Sequence, residues 1–201
     1  MIFKYLGRDY GVHHIAHLMN SNTNNGSADI NVCSVLKSLA KRENLEIEHL
    51  FKFDDLKQFQ KMVRQYNNYA KRQKMPEVVL SFIDNSEIQV CNMTKTLEQF
   101  DFKTYKRYKV KSGSTQMNHF FRTLCTSIDH GLPLAWSMMT GFNSDDNTKN
   151  QLTGHACVIT GYNKSTREIL FADPNKRDGS TSRMSLEDAW TSNVGIYRFT
   201  R

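Results

Sequence analysis

The stretch that most constrains this 201-residue chain is Gly154-His155-Ala156-Cys157-Val158-Ile159-Thr160-Gly161-Tyr162-Asn163, followed by Glu168-Ile169-Leu170-Phe171-Ala172-Asp173-Pro174. Two apolar runs joined by the polar turn Lys164-Ser165-Thr166-Arg167 predict an antiparallel hairpin. In such a pair the start of one strand lies beside the end of the next. His155 opens the first strand and Asp173 closes the second, so an imidazole and a carboxylate are expected to meet at one end. A base held by an orienting acid lacks only a nucleophile to complete a triad.

The candidate nucleophiles are few. The cysteines are Cys33, Cys91, Cys125 and Cys157, widely and irregularly spaced, with no CxxC pair that would suggest zinc. Cys125 falls in an apolar helical pattern and Cys157 in an apolar strand, where both read as small buried hydrophobes. Cys33 is different. It follows a polar run over residues 21–29 and begins a helical pattern over residues 30–42, with Val32, Val35 or Leu36, Leu39 and Ala40 at helical spacing. Asp29 and Asn31 are candidate caps. The unpaired amides and dipole of a helix N-terminus favour a thiolate. A thiolate also needs an imidazole to take its proton, and the imidazole needs a fixed tautomer. Cys33, His155 and Asp173 fit those roles in that order.

Elsewhere the periodicity predicts a helix over 54–74 with Leu56, Phe59, Met62 or Val63, and Tyr66 on its apolar stripe, ended before Pro76. Strands are expected over 78–83 and 87–91 about an Asp84-Asn85-Ser86 turn, and another over 102–111. A helix starting at Ser114 or Thr115 carries Met117, Phe120, Phe121, Leu124 and Ile128 and stops at Gly131. Strands at 134–139, 154–163, 168–173 and 195–199 follow, with a short helix over 185–190. Helices first and an antiparallel sheet second predict an α+β fold. The expected organisation is one domain over residues 1–201: a mainly helical part over 1–130 that carries the nucleophile and a variable middle region, packed on a sheet over 131–201.

Net charge is +7. The basic residues are mostly dispersed, which predicts a solvated surface. The densest cluster, Lys103 to Lys111, is interleaved with Phe102, Tyr105 and Tyr108. Such a mixture could grip single-stranded nucleic acid, but it also fits a strand with one buried face. The latter is the expectation, so nucleic acid is not an expected partner, and an acidic protein surface is an alternative. No run approaches the ~18 apolar residues of a membrane helix. Residues 1–6 lack the apolar core of a secretory signal. His13 and His17 would share a helix face at metal-ligand spacing, but no carboxylate or cysteine nearby completes a set, so they read as surface or packing histidines. Neither a metal nor another cofactor is expected.

A helix-borne cysteine, then Gly131-Leu132-Pro133 before a strand, then Gly-His-Ala-Cys-Val-Ile-Thr-Gly-Tyr and Phe-Ala-Asp-Pro, resembles the papain-like cysteine peptidases. It is most similar to the bacteriocin-leader-processing peptidases and their stand-alone relatives. Met184 to Trp190 with Gly195-Ile196-Tyr197 fits the same branch. The resemblance covers residues 131–199 well, is weak around Cys33 and is absent over much of 45–110. It implies Cys33 as nucleophile, His155 as general base and acid, Asp173 as orienting acid, and a protein or peptide substrate. Ser34 follows the cysteine where the family has glycine or tryptophan. Ser27 stands where it has an oxyanion-hole glutamine, leaving Asn24, Asn25 or Asn31 as candidate donors with the Cys33 amide. The same triad order also serves a glutamine deamidase or transglutaminase-like effector acting on a host protein, so the compartment stays open between the cytoplasm and delivery into a host cell. A papain-like fold without activity, binding through the Lys103–Lys111 segment, is the reading from another class.

Overall fold

A computed structural model describes residues 29–51, 56–85, 88–132, 134–140, 153–174, 176 and 181–200. Helix α1 (Asp29–Arg42) leads to strand β1 (Glu46–Leu50) and helix α2 (Leu56–Arg72). A small hairpin, β2 (Phe82–Asn85) and β3 (Ile88–Cys91), precedes helices α3 (Met93–Leu97), α4 (Phe102–Ser112) and α5 (Ser114–Asp129). Then come β4 (Leu134–Thr140), β5 (Thr153–Asn163), β6 (Glu168–Ala172), β7 (Thr181–Ser185), α6 (Leu186–Ser192) and β8 (Asn193–Thr200). The fold is α+β, as expected. Its centre is a six-stranded antiparallel sheet in the order β1-β8-β4-β5-β6-β7.

Strand alternation divides the core. Leu134, Trp136, Met138, Cys157, Ile159, Ile169 and Phe171 line one face, covered by Phe120 and Leu124 of α5 and Leu186 and Ala189 of α6. Val158, Tyr197 and Phe199 line the other, covered by Leu36, Leu39 and Ala40 of α1. A third apolar cluster joins Phe59, Val63, Tyr66 and Ala70 of α2 to Leu97, Phe100, Tyr105 and Tyr108. Those α2 residues recur at helical spacing, as the sequence predicts. Gly131 terminates α5 at φ +72°, where its amide bonds Ile128 O and that of Leu132 bonds Ser127 O.

The sequence reading needs one correction of element type. Residues 102–111 form helix α4, not a strand. Asp101 caps it by accepting the Thr104 amide at 2.9 Å. Phe102, Tyr105 and Tyr108 recur every third residue, which is helical spacing, and the last two bury against Tyr66. The tyrosines are therefore core residues and not a base-stacking platform. Lys106 pairs with Asp188 at 2.5 Å, and the Lys109 ammonium lies 4.9 Å from the Trp190 ring centroid. Three elements were not expected: β1 on one sheet edge, the short helix α3, and β7 on the other edge, in a run that reads as polar loop. The expected strand over 78–83 starts only at Phe82. Before it, side chains stand in for a ladder: Asn67 bonds both backbone groups of Val78 at 2.8 and 2.9 Å, and Gln99 bonds both of Val79.

Candidate active site

His155 is the third residue of β5, and Asp173 immediately follows β6. The β5–β6 ladder pairs Ile159 with Phe171 and Val158 with Ala172. Continuing that register by one step sets Asp173 opposite Cys157, with His155 on the same face two residues back along β5. The meeting that the hairpin predicts is present: His155 Nε2 and Asp173 Oδ1 are 2.9 Å apart. Both side chains are about one-fifth exposed, 18% and 21%. A carboxylate oxygen accepts, so Nε2 carries the proton and the Nδ1 lone pair is the one presented to a reacting group.

The wall behind the pair is apolar. On β4, Met138 stands opposite His155 and Trp136 opposite Cys157, and both are buried. The Trp136 indole donates to Asn193 Oδ1 at 3.2 Å, and Asn193 Nδ2 donates to Phe51 O at 2.9 Å, which fixes β4 against β8 and β1's end. Hydrogen bonding of a buried indole matters because an unpaired one costs stability.

Two of the thiols sit as the sequence suggests. Cys125 and Cys157 are buried, Cys91 is partly buried, and all three are free. Burial pushes the Cys91 and Cys125 thiols up, and burial with the Asp173 charge pushes Cys157 up to about 12. Cys157 therefore stands beside the pair as a thiol and is not an activated nucleophile. Cys33 is the fifth residue of α1, one turn further into the helix than the sequence places it. The Cys33 and Asn31 side chains, and Asn24, Asn25, Ser27, His13 and His17, lie outside the described residues. The sequence pattern assigned Cys157 to packing and missed its place beside the pair, although its position two residues from His155 on one strand already implied a shared face.

The family model described as Peptidase_C39 like family matches residues 1–197. The chain belongs to this family. Membership agrees with the α+β arrangement of a papain-like fold and supports a cysteine peptidase in general, with protein or peptide as substrate. A search of curated proteins found no match. Among the described residues, no helix is long and apolar enough to cross a membrane.

Proposed function

We propose that this Peptidase_C39-like protein hydrolyses amide bonds through a thioester, with Cys33 as nucleophile, His155 as general base and acid, and Asp173 as orienting acid. The observation that carries the reading is the 2.9 Å bond from His155 Nε2 to Asp173 Oδ1, which directs the basic nitrogen away from the carboxylate. The Cys33 proton moves to Nδ1, and the thiolate attacks the substrate carbonyl. The Cys33 amide, with the side chain of Asn24, Asn25 or Asn31, stabilises the oxyanion. The imidazolium protonates the leaving amine, and water, deprotonated by His155, cleaves the thioester. Residues 1–201 act as one domain in this reading. In this reading the middle region selects the substrate.

Iodoacetamide alkylation at pH 6 tests the nucleophile without a known substrate. An ordinary thiol with a pKa of about 8.5 is only ~0.3% thiolate at that pH. Paired with His155, Cys33 should alkylate at least about tenfold faster than glutathione, and well ahead of Cys91, Cys125 and Cys157. Reaction at the glutathione rate, with the glutathione pH profile, removes the enzyme reading and leaves a papain-like binding module. Products then divide the enzyme classes: new amino termini mark a peptidase, and released ammonia with an intact chain marks a deamidase.

A further inference from the structure

We infer that His155, Cys157 and Asp173 form a binding site for a single thiophilic divalent cation of the zinc class. Their nitrogen, sulfur and oxygen donors lie within 4.8 Å of one another. The placement follows from the sheet. Alternate residues of β5 point the same way, and Asp173 stands opposite the second of them across the hairpin. Three donors thus converge from two neighbouring strands held in register by five paired positions. Zinc bonds of about 2.0–2.3 Å place tetrahedral donors roughly 3.3–3.8 Å apart. Closing from 4.8 Å takes a shift of about one ångström, within a side-chain adjustment of Asp173 or Cys157.

The donor set is the zinc kind: borderline imidazole, soft thiolate and hard carboxylate. Cys157 is buried and backed by Trp136 and Met138, while His155 and Asp173 keep partial access to solvent. That leaves a protected inner side and an open fourth position for water. Binding converts the Cys157 thiol to a thiolate and releases its proton to solvent. A cation shared with Asp173 binds Nε2 and moves the imidazole proton to Nδ1, so His155 can no longer take the Cys33 proton. That inhibitory consequence rests on the proposed role of His155. Metal binding itself does not.

Cobalt(II) titration of the full chain, read by the thiolate-to-cobalt charge-transfer band, tests the site without an activity assay. The expected result is one cobalt per chain with a band that Cys157→Ala or His155→Ala abolishes and Cys33→Ser leaves in place. Asp173→Asn should weaken binding about 10-fold or more. Cys157→Ala suits a position that packs as a small hydrophobe, and His155→Ala is the independent check should that variant fail to fold. A band that survives Cys157→Ala, or that disappears only in Cys33→Ser, overturns the proposal. Zinc should slow Cys33 alkylation in the native chain but not in Cys157→Ala. If cobalt binds through Cys157 while zinc leaves Cys33 alkylation unchanged, the metal site stands and the triad reading falls.

Discussion

Replacing Asp173 tests two contributions that the 2.9 Å contact combines, charge and orientation. In Asp173→Asn the negative charge is lost, and an amide that turns its NH2 toward the ring also imposes the wrong imidazole tautomer. In Asp173→Ala charge and orientation are both lost. A unit charge pair at about 4 Å is worth roughly 4 kcal/mol at an effective dielectric of 20. With each partner about one-fifth exposed, solvent discounts that figure. The net value expected of a hydrogen bond to a charged group, about 1.5–3 kcal/mol, is the better guide. That predicts an approximately 10- to 150-fold smaller Cys33 thiolate–imidazolium population in Asp173→Asn.

A wrong tautomer adds to that loss, since the same Asp→Asn change in a comparable triad costs about 10⁴-fold in turnover. The assay is the rate of Cys33 alkylation at pH 6, with the thermal midpoint of each variant measured alongside. Both variants are expected to alkylate at least about tenfold more slowly than the native chain. Native alkylation rates in both variants, accompanied by a lowered midpoint, would show that Asp173 supports the fold and does not serve Cys33.

Asn193→Ala should cost about 1–3 kcal/mol, because it strands the buried Trp136 indole N–H, and urea unfolding measures it. Gly195→Ala should destabilise by about 1–3 kcal/mol, since its Cβ would sit 2.4 Å from the His49 ring that stacks on Tyr197. Gly154→Ala, where nothing lies within 4 Å of an added Cβ, should leave the thermal midpoint nearly unchanged. The Cys157 thiol keeps its proton in the folded chain up to about 12, whereas an ordinary thiol loses it near 9.0. The unfolded chain therefore binds fewer protons in that window, and stability falls as pH rises from about 9 toward 12, by up to about 1.4 kcal/mol per unit from this group. Urea unfolding at stepped pH should show that increment vanish in Cys157→Ala.

The hairpin and its acid–base pair were legible because each depends on local information: two apolar runs, a polar turn, and residues at strand ends. The helices α2 and α5 were legible for the same reason, since their apolar stripes repeat over several turns. Strands β1 and β7 were not, because their pairing is decided by β8 and β6 and not by their own sequences, Glu-Ile-Glu-His-Leu and Thr-Ser-Arg-Met-Ser. Helix α4 was misread where dispersed lysines masked a three-residue aromatic spacing. The Asp101 cap was the local signal that could have decided it.

In the proposed triad Cys33 has to reach His155, and the ends of the strands set the route. Helix α1 covers the Val158 face, whereas His155 and Cys157 stand on the opposite one. Strand β6 pairs with β5 only as far as Val158, so the segment of β5 before it is paired by β4 alone among the described residues. In the proposed triad Cys33 comes to His155 by that flank, beside Asp173. Ala156 is exposed and by alternation points to the α1 side, between the two partners in this reading. Ala156→Trp should therefore displace Cys33 while leaving the His155–Asp173 contact intact. A displacement of about 1 Å in a catalytic group costs on the order of 10²-fold, so Cys33 alkylation at pH 6 should fall by about that factor with little change in the thermal midpoint. An unchanged rate in a folded Ala156→Trp chain would mean that Cys33 does not come to His155 by this flank, and the triad would have to be assembled differently or abandoned.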